Sequence, residues 1–105
     1  MLYAQQGQTQ QAAEYLQRAV DLRPDYPEAL NNLGVLYVHE QDDAKAEEQF
    51  KKCIRLVPSF DQAYMNLARV YALRNDKQQA REVLQELLQV QPGNPAAKQA
   101  LEYLR

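Results

Sequence analysis

The sequence predicts an all-α protein made by stacking one helical unit, and three observations carry that prediction. Pro24, Pro58 and Pro92 stand 34 residues apart, and the same step aligns Tyr3, Tyr37 and Tyr71, then Ala12, Ala46 and Ala80, then Asn32 and Asn66. Between the prolines, apolar residues return every third or fourth position, the spacing of one helix face. Only three glycines occur in 105 residues, which argues against loops and sheets. A period of this length marks a stacked array in which no unit buries its apolar face alone. Function is therefore to be sought on the surface that the stack creates.

Taken in order, Met1 to Gln6 gives one or two helical turns, and Gly7 suits a left-handed turn between helices. Thr9 is a candidate N-cap for a helix whose apolar face is Ala12, Leu16, Ala19 and Val20, widened by Tyr15 and Leu22. That helix should stop near Leu22, because Pro24 disfavours helical dihedrals at Arg23 and has no amide hydrogen to donate. Asp25 or Tyr26 leads into Pro27, which sits where a first-turn proline costs nothing. Leu30, Leu33, Gly34, Tyr37 and Val38 then carry a helix to about His39, and Gln41, Asp42 and Asp43 form a turn.

The next helix bears Ala46, Phe50, Cys53, Ile54 and Leu56 and runs toward Pro58. The following unit repeats the pattern with Tyr64, Leu67, Ala68 and Tyr71, a turn at Asn75, Asp76 and Lys77, and then Ala80, Leu84, Leu87 and Leu88. From Pro95 a last helix sets Ala97, Ala100, Leu101 and Leu104 opposite Lys98, Gln99, Glu102 and Arg105. Such two-sidedness belongs to a capping helix, which covers the last apolar face and shows water a polar one. Equal spacing of the three tyrosines points to rings packed between helices, with each hydroxyl reaching water or a backbone group.

These residues resemble the tetratricopeptide repeat family, whose unit is a 34-residue helix-turn-helix. Leu33, Gly34, Tyr37, Ala46, Phe50 and Pro58 match its pattern, as do Leu67, Ala68, Tyr71, Ala80, Leu84 and Pro92. Tyr3, Gly7, Ala12, Leu16, Ala19 and Pro24 match the second half of an earlier unit. The resemblance implies a right-handed superhelical solenoid: a partial repeat at 1–26, repeats at 27–60 and 61–94, and a capping helix at 95–105. The departures are mild, with Gln41 and Asn75 standing where the family has a turn glycine, and Cys53 and Leu87 where it has alanine.

Composition removes several function classes. Twelve basic and fourteen acidic residues, with a sequence pI near 5.3, leave no field to draw the protein onto phosphate backbones, so nucleic acid is not an expected partner. The first residues carry no basic leader and long apolar run, so neither signal peptide nor membrane span is expected, and a reducing cytoplasm suits the single Cys53. One histidine and one cysteine supply no metal set, and no phosphate loop occurs. The chain is read as a non-enzyme that needs no cofactor. The register also suggests that the chain begins inside a unit, so self-association through that end is expected, as an uncovered apolar face seeks a partner.

By the resemblance, the first helices of the two full repeats form a concave wall for a protein or peptide partner. On it fall Glu28, Asn31, Asn32, Val35 and His39 from one unit, and Gln62, Met65, Asn66, Arg69 and Leu73 from the next. An amide donates and accepts, so Asn32 and Asn66 can hold a peptide main chain whatever its sequence. This pair is similar to the asparagine ladder in the repeat arm of O-linked N-acetylglucosamine transferases. It implies, as a second reading, a non-catalytic arm of a larger glycosyltransferase or assembly factor. The basic clamp by which family members grip acidic chaperone tails is not expected, since Gln62 and Asn66 stand where it needs cations.

Overall fold

The computed structural model describes residues 2–105, with side chains from residue 7 onward. The described residues form an all-α helical repeat with six helices and no strand: α1 (Leu2–Leu22), α2 (Pro27–His39), α3 (Asp43–Leu56), α4 (Asp61–Leu73), α5 (Lys77–Val90) and α6 (Pro95–Tyr103). Each helix packs on the next, and α2 also touches α4. None of them is long and apolar enough to cross a membrane. Tyr3 and its neighbours to Gln6 lie outside the described side chains.

The two complete helix pairs, α2 with α3 and α4 with α5, turn in the same way. Gln41 and Asn75 take the left-handed backbone conformation, at φ 62° and 61°. Asp42 and Asp76 follow and cap the next helix, accepting from the amides of Lys45 and Gln79 at 3.2 Å. Such a carboxylate satisfies an orphan amide and sits well at the positive end of the helix. Asn94 does the same for α6 through the amide of Ala97 at 3.0 Å. Tyr26 precedes α2 without a side-chain cap, and Pro27 at its first turn has no amide hydrogen to satisfy.

The expected break at Gly7 does not form. Gly7 takes no positive φ, and α1 runs through it and through Thr9 as one helix of 21 residues. Within a helix each residue adds one backbone bond, and space around Gly7 is open, with no neighbour within 4 Å of a Cβ built there. Nothing packed against that point holds the chain in a turn. Ala13 and Val20, not Ala12 and Ala19, reach the core, while Tyr15 and Leu22 are 78% and 84% exposed.

From α2 onward the core follows the expected register. Leu30, Leu33, Ala46, Phe50 and Cys53 are fully buried between α2 and α3, and Ala63, Ala80, Leu84 and Leu87 repeat this between α4 and α5. Ala97 and Leu104 close the stack from α6. Leu56, expected on the apolar face, is half exposed at the end of α3.

The rings of Tyr37 and Tyr71 lie buried between units as expected, and their hydroxyls reach side-chain acceptors rather than backbone groups. Tyr37 donates to Gln17 Oε1 at 2.9 Å and Tyr71 to Glu47 Oε2 at 2.8 Å, because the preceding second helix offers a side-chain acceptor at that height. Gln91 donates to the Ser59 carbonyl at 2.9 Å and Arg81 to that of Leu104 at 3.1 Å, so successive units are tied at both ends.

Candidate functional site

The first helices of successive units, α2, α4 and α6, form one face of the stack. Between α2 and α4 the face is closed. Asn31 is buried there, and Asn66 Nδ2 donates to its Oδ1 at 3.1 Å. One period further on, the residues at the Asn31 and Asn66 positions are Met65 and Ala100, which cannot make that bond. There the seam opens into a groove of about 630 Å³ between α4 and α6.

Small residues make the floor of this groove, with Ala68, Ala72, Ala96 and Ala100 around the buried Leu84. Met65 and Tyr103 flank it, and Tyr103 is 90% exposed. The polar lining is Asn66, Gln99 and Arg69, of which Arg69 alone is charged. Its guanidinium makes no ion pair among the described residues. The volume falls within the range of sites that hold ligands or anchor side chains.

Of the residues expected on the wall, Met65, Asn66 and Arg69 line the groove. Gln62 and Leu73 flank them on α4 as exposed side chains. On α2, Glu28, Asn32 and His39 are exposed, Val35 is half-buried, and Asn31 is buried under its bond to Asn66. Asn66 has thus committed an amide hydrogen to its neighbour, whereas Asn32 remains open at the surface. The expected row of two open asparagines is thus not present, because Asn66 is engaged with Asn31.

Sequence reasoning missed Ala96, Gln99, Ala100 and Tyr103, having given α6 only a capping role. The signal was present, since these four stand one period after Gln62, Met65, Asn66 and Arg69. All four line the groove.

Elsewhere the chemistry is structural. Cys53 is fully buried and donates its thiol to the Pro27 carbonyl at 3.3 Å. Burial, with help from the charge of Glu28, pushes the thiol up to about 11. A neutral, inaccessible thiol is no nucleophile. Glu47 stands at the α3–α4 junction, paired with Lys51 at 2.8 Å and with Arg74, and accepts from Tyr71. Partial burial raises its pKa, but the hydrogen bonds from Lys51, Arg74 and Tyr71 outweigh this and bring the carboxyl to about 2. A second hollow of about 620 Å³ lies where α1 meets the α2–α3 turn, and its charges, Glu14, Arg18, Glu40 and Lys45, are mixed. No three metal-ligating side chains gather among the described residues.

Family models described as tetratricopeptide repeat match residues 1–59 and residues 44–102. Among solved structures, the first such domain of Spaghetti (RPAP3), bound to the HSP90 peptide SRMEEVD, superposes with a TM-score of 0.80 at 22% identity, over 97% of this chain and 81% of that one. The second domain of human RPAP3, in complex with an HSP70 peptide, gives 0.80 at 20% identity, over 97% and 85%. YrrB, described as having an unusual peptide-binding site, gives 0.82 at 28% identity, over 94% of this chain but 51% of its own, so the present chain spans about half of it. No curated protein sequence matches. Two overlapping family models and the repeated turn and core geometry agree: this chain belongs to the tetratricopeptide repeat family.

Proposed function

We propose that this chain is a non-catalytic protein-interaction module that holds a peptide segment of a partner protein on the face formed by α2, α4 and α6. The observation that carries this reading is the open groove between α4 and α6, which leaves apolar side chains uncovered where the seam between α2 and α4 is closed by the Asn31–Asn66 bond. Exposed apolar surface rimmed by polar groups is the usual mark of a protein-binding site. Support comes from the structurally similar RPAP3 domains, which are seen with an HSP90 and an HSP70 peptide. The wall residues Asn32, Val35, His39, Gln62 and Leu73 extend the contact beyond the groove, in which Met65, Asn66 and Arg69 make its α4 side. The reading is the same whether the module acts alone or as the non-catalytic arm of a larger glycosyltransferase or assembly-factor chain.

The test is affinity capture with the intact chain beside an Ala72→Leu variant. Ala72 is exposed on the groove floor, so leucine there fills the groove without disturbing the core. Proteins retained by the wild type and lost by the variant are groove partners. Capture that ignores the plug moves the binding surface elsewhere.

A second copy of the chain is a further candidate partner, favoured by the exposed Tyr15 and Leu22 on α1. Sedimentation velocity over a concentration series decides it, with a single monomeric species counting against self-association.

A further inference from the structure

We infer that the groove between α4 and α6 receives an amphipathic helix bearing one carboxylate opposite Arg69, in preference to an extended or polyacidic chain end. This rests on the reading of the α2–α4–α6 face as a peptide-binding surface, and three features of the groove select the occupant.

The first is how few partners a peptide backbone would find, since beside Arg69 only the Gln99 amide and what remains of the Asn66 amide line the groove. An extended segment must find donors and acceptors for its own amides along the site. Here one amide hydrogen of Asn66 is taken by Asn31, and the positions equivalent to that pair in the next seam are Met65 and Ala100. A helix arrives with its backbone bonds already made and asks only for apolar contact.

The second is the small-residue floor. Ala72 on α4 and Ala96 and Ala100 on α6 line the groove, and helix axes approach to about 8–10 Å according to the side chains at the contact. Alanines at the base let a third helix settle between α4 and α6 with its larger residues against Met65 and Tyr103.

The third is charge. Arg69 is the one charged residue lining the groove and has no counterion among the described residues. A single carboxylate completes it with the planar geometry a guanidinium favours. Further carboxylates would meet no second cation in the groove, on a protein whose formal net charge is already -2.

The probe is a displayed library of short helix-forming peptides randomised along one face, panned on the intact chain. The enriched peptides should carry apolar residues at helical spacing and one Asp or Glu, and the best of them, made synthetically, should shift backbone amides in α4 and α6. Arg69→Glu should weaken that peptide about tenfold or more, and changing the peptide's acid to lysine should restore binding to the variant. Arg69 is exposed, and unchanged circular dichroism will show that the variant is folded. Enrichment without acidic bias, enrichment of proline-containing extended sequences, or indifference to Arg69→Glu overturns this inference and leaves the peptide-binding reading standing. A footprint away from α4 and α6 overturns both. Concentration-dependent shifts of α4 and α6 without any peptide assign the groove to a second copy and likewise overturn the inference.

Discussion

Gly34 lies directly beneath the ring of Phe50. A Cβ at position 34 would stand 2.5 Å from Phe50 Cε1 and 2.8 Å from Cδ1, so the glycine of α2 and the aromatic of α3 exist as a pair. One period later the same crossing is made by Ala68 and Leu84, both buried. A smaller side chain on one helix accompanies a larger one on its neighbour.

Gly34→Ala is therefore expected to destabilise the protein by roughly 1–3 kcal/mol through overpacking. Replacing a glycine inside an exposed helix stretch ordinarily has the opposite sign, at about 0.5–1 kcal/mol. Adding Phe50→Leu to Gly34→Ala recreates the Ala68–Leu84 pair and should recover much of the loss. Urea unfolding of the two single variants and the double variant measures this, and a double variant no better than the sum of its parts would disprove the pairing.

Gln41 has the left-handed backbone of a turn residue, at φ 62°, without the short side chain that makes this tolerable for asparagine. Gln41→Gly should raise the stability by about 0.5–1 kcal/mol, less than the whole strain because glycine also loosens the unfolded chain. The same change at Asn75, φ 61°, should gain less. Thermal melts of the two variants compare them directly, and equal gains would contradict the argument.

Glu47 contributes stability that depends on its ionisation. Its carboxyl titrates near 2 in the folded protein against an ordinary value of 4.5, so the native state holds the charged form more tightly than the unfolded chain. The contribution is complete above the ordinary value and fades as the pH falls through 4.5 toward 2. Wild type should thus exceed Glu47→Gln in melting temperature at pH 7, and the two curves should converge as acid is added. A gap that is constant with pH would show that packing, not charge, accounts for the difference.

Cys53, with its thiol raised to about 11 by burial, should resist an aromatic disulfide reagent at neutral pH while the protein is folded. Its labelling rate should follow the global unfolding rate as urea is added. Rapid labelling in native buffer would show that the α2–α3 pair opens on its own.

The helices from Pro27 onward were legible in the sequence because proline, apolar periodicity and the polar turns at 41–43 and 75–77 all point the same way, although Asp42 and Asp76 were read as turn residues and not as caps. Gly7 was misread for the reason that a left-handed glycine is favoured only where helices on both sides pack together, and packing is not a property of residue 7. Asn31 and Asn66 could be placed on one face by counting, but a bond between neighbouring units joins positions that are not equivalent, and aligning repeats hides it. The α6 half of the groove was missed because its polar side matched a cap, although the register of Ala96, Gln99, Ala100 and Tyr103 marked them as wall residues.

The alternation of a closed and an open seam means that the mouth of this array is specified separately from its frame. Leu33, Phe50, Leu67 and Leu84 lie in the buried frame, while the residues at the Asn31 and Asn66 positions differ between a bonded junction and an open one. An asparagine pair bolts the joint, and a methionine with an alanine leaves it ajar. Exchanging those residues between junctions should therefore move the opening along the chain by one unit and leave the masonry in place.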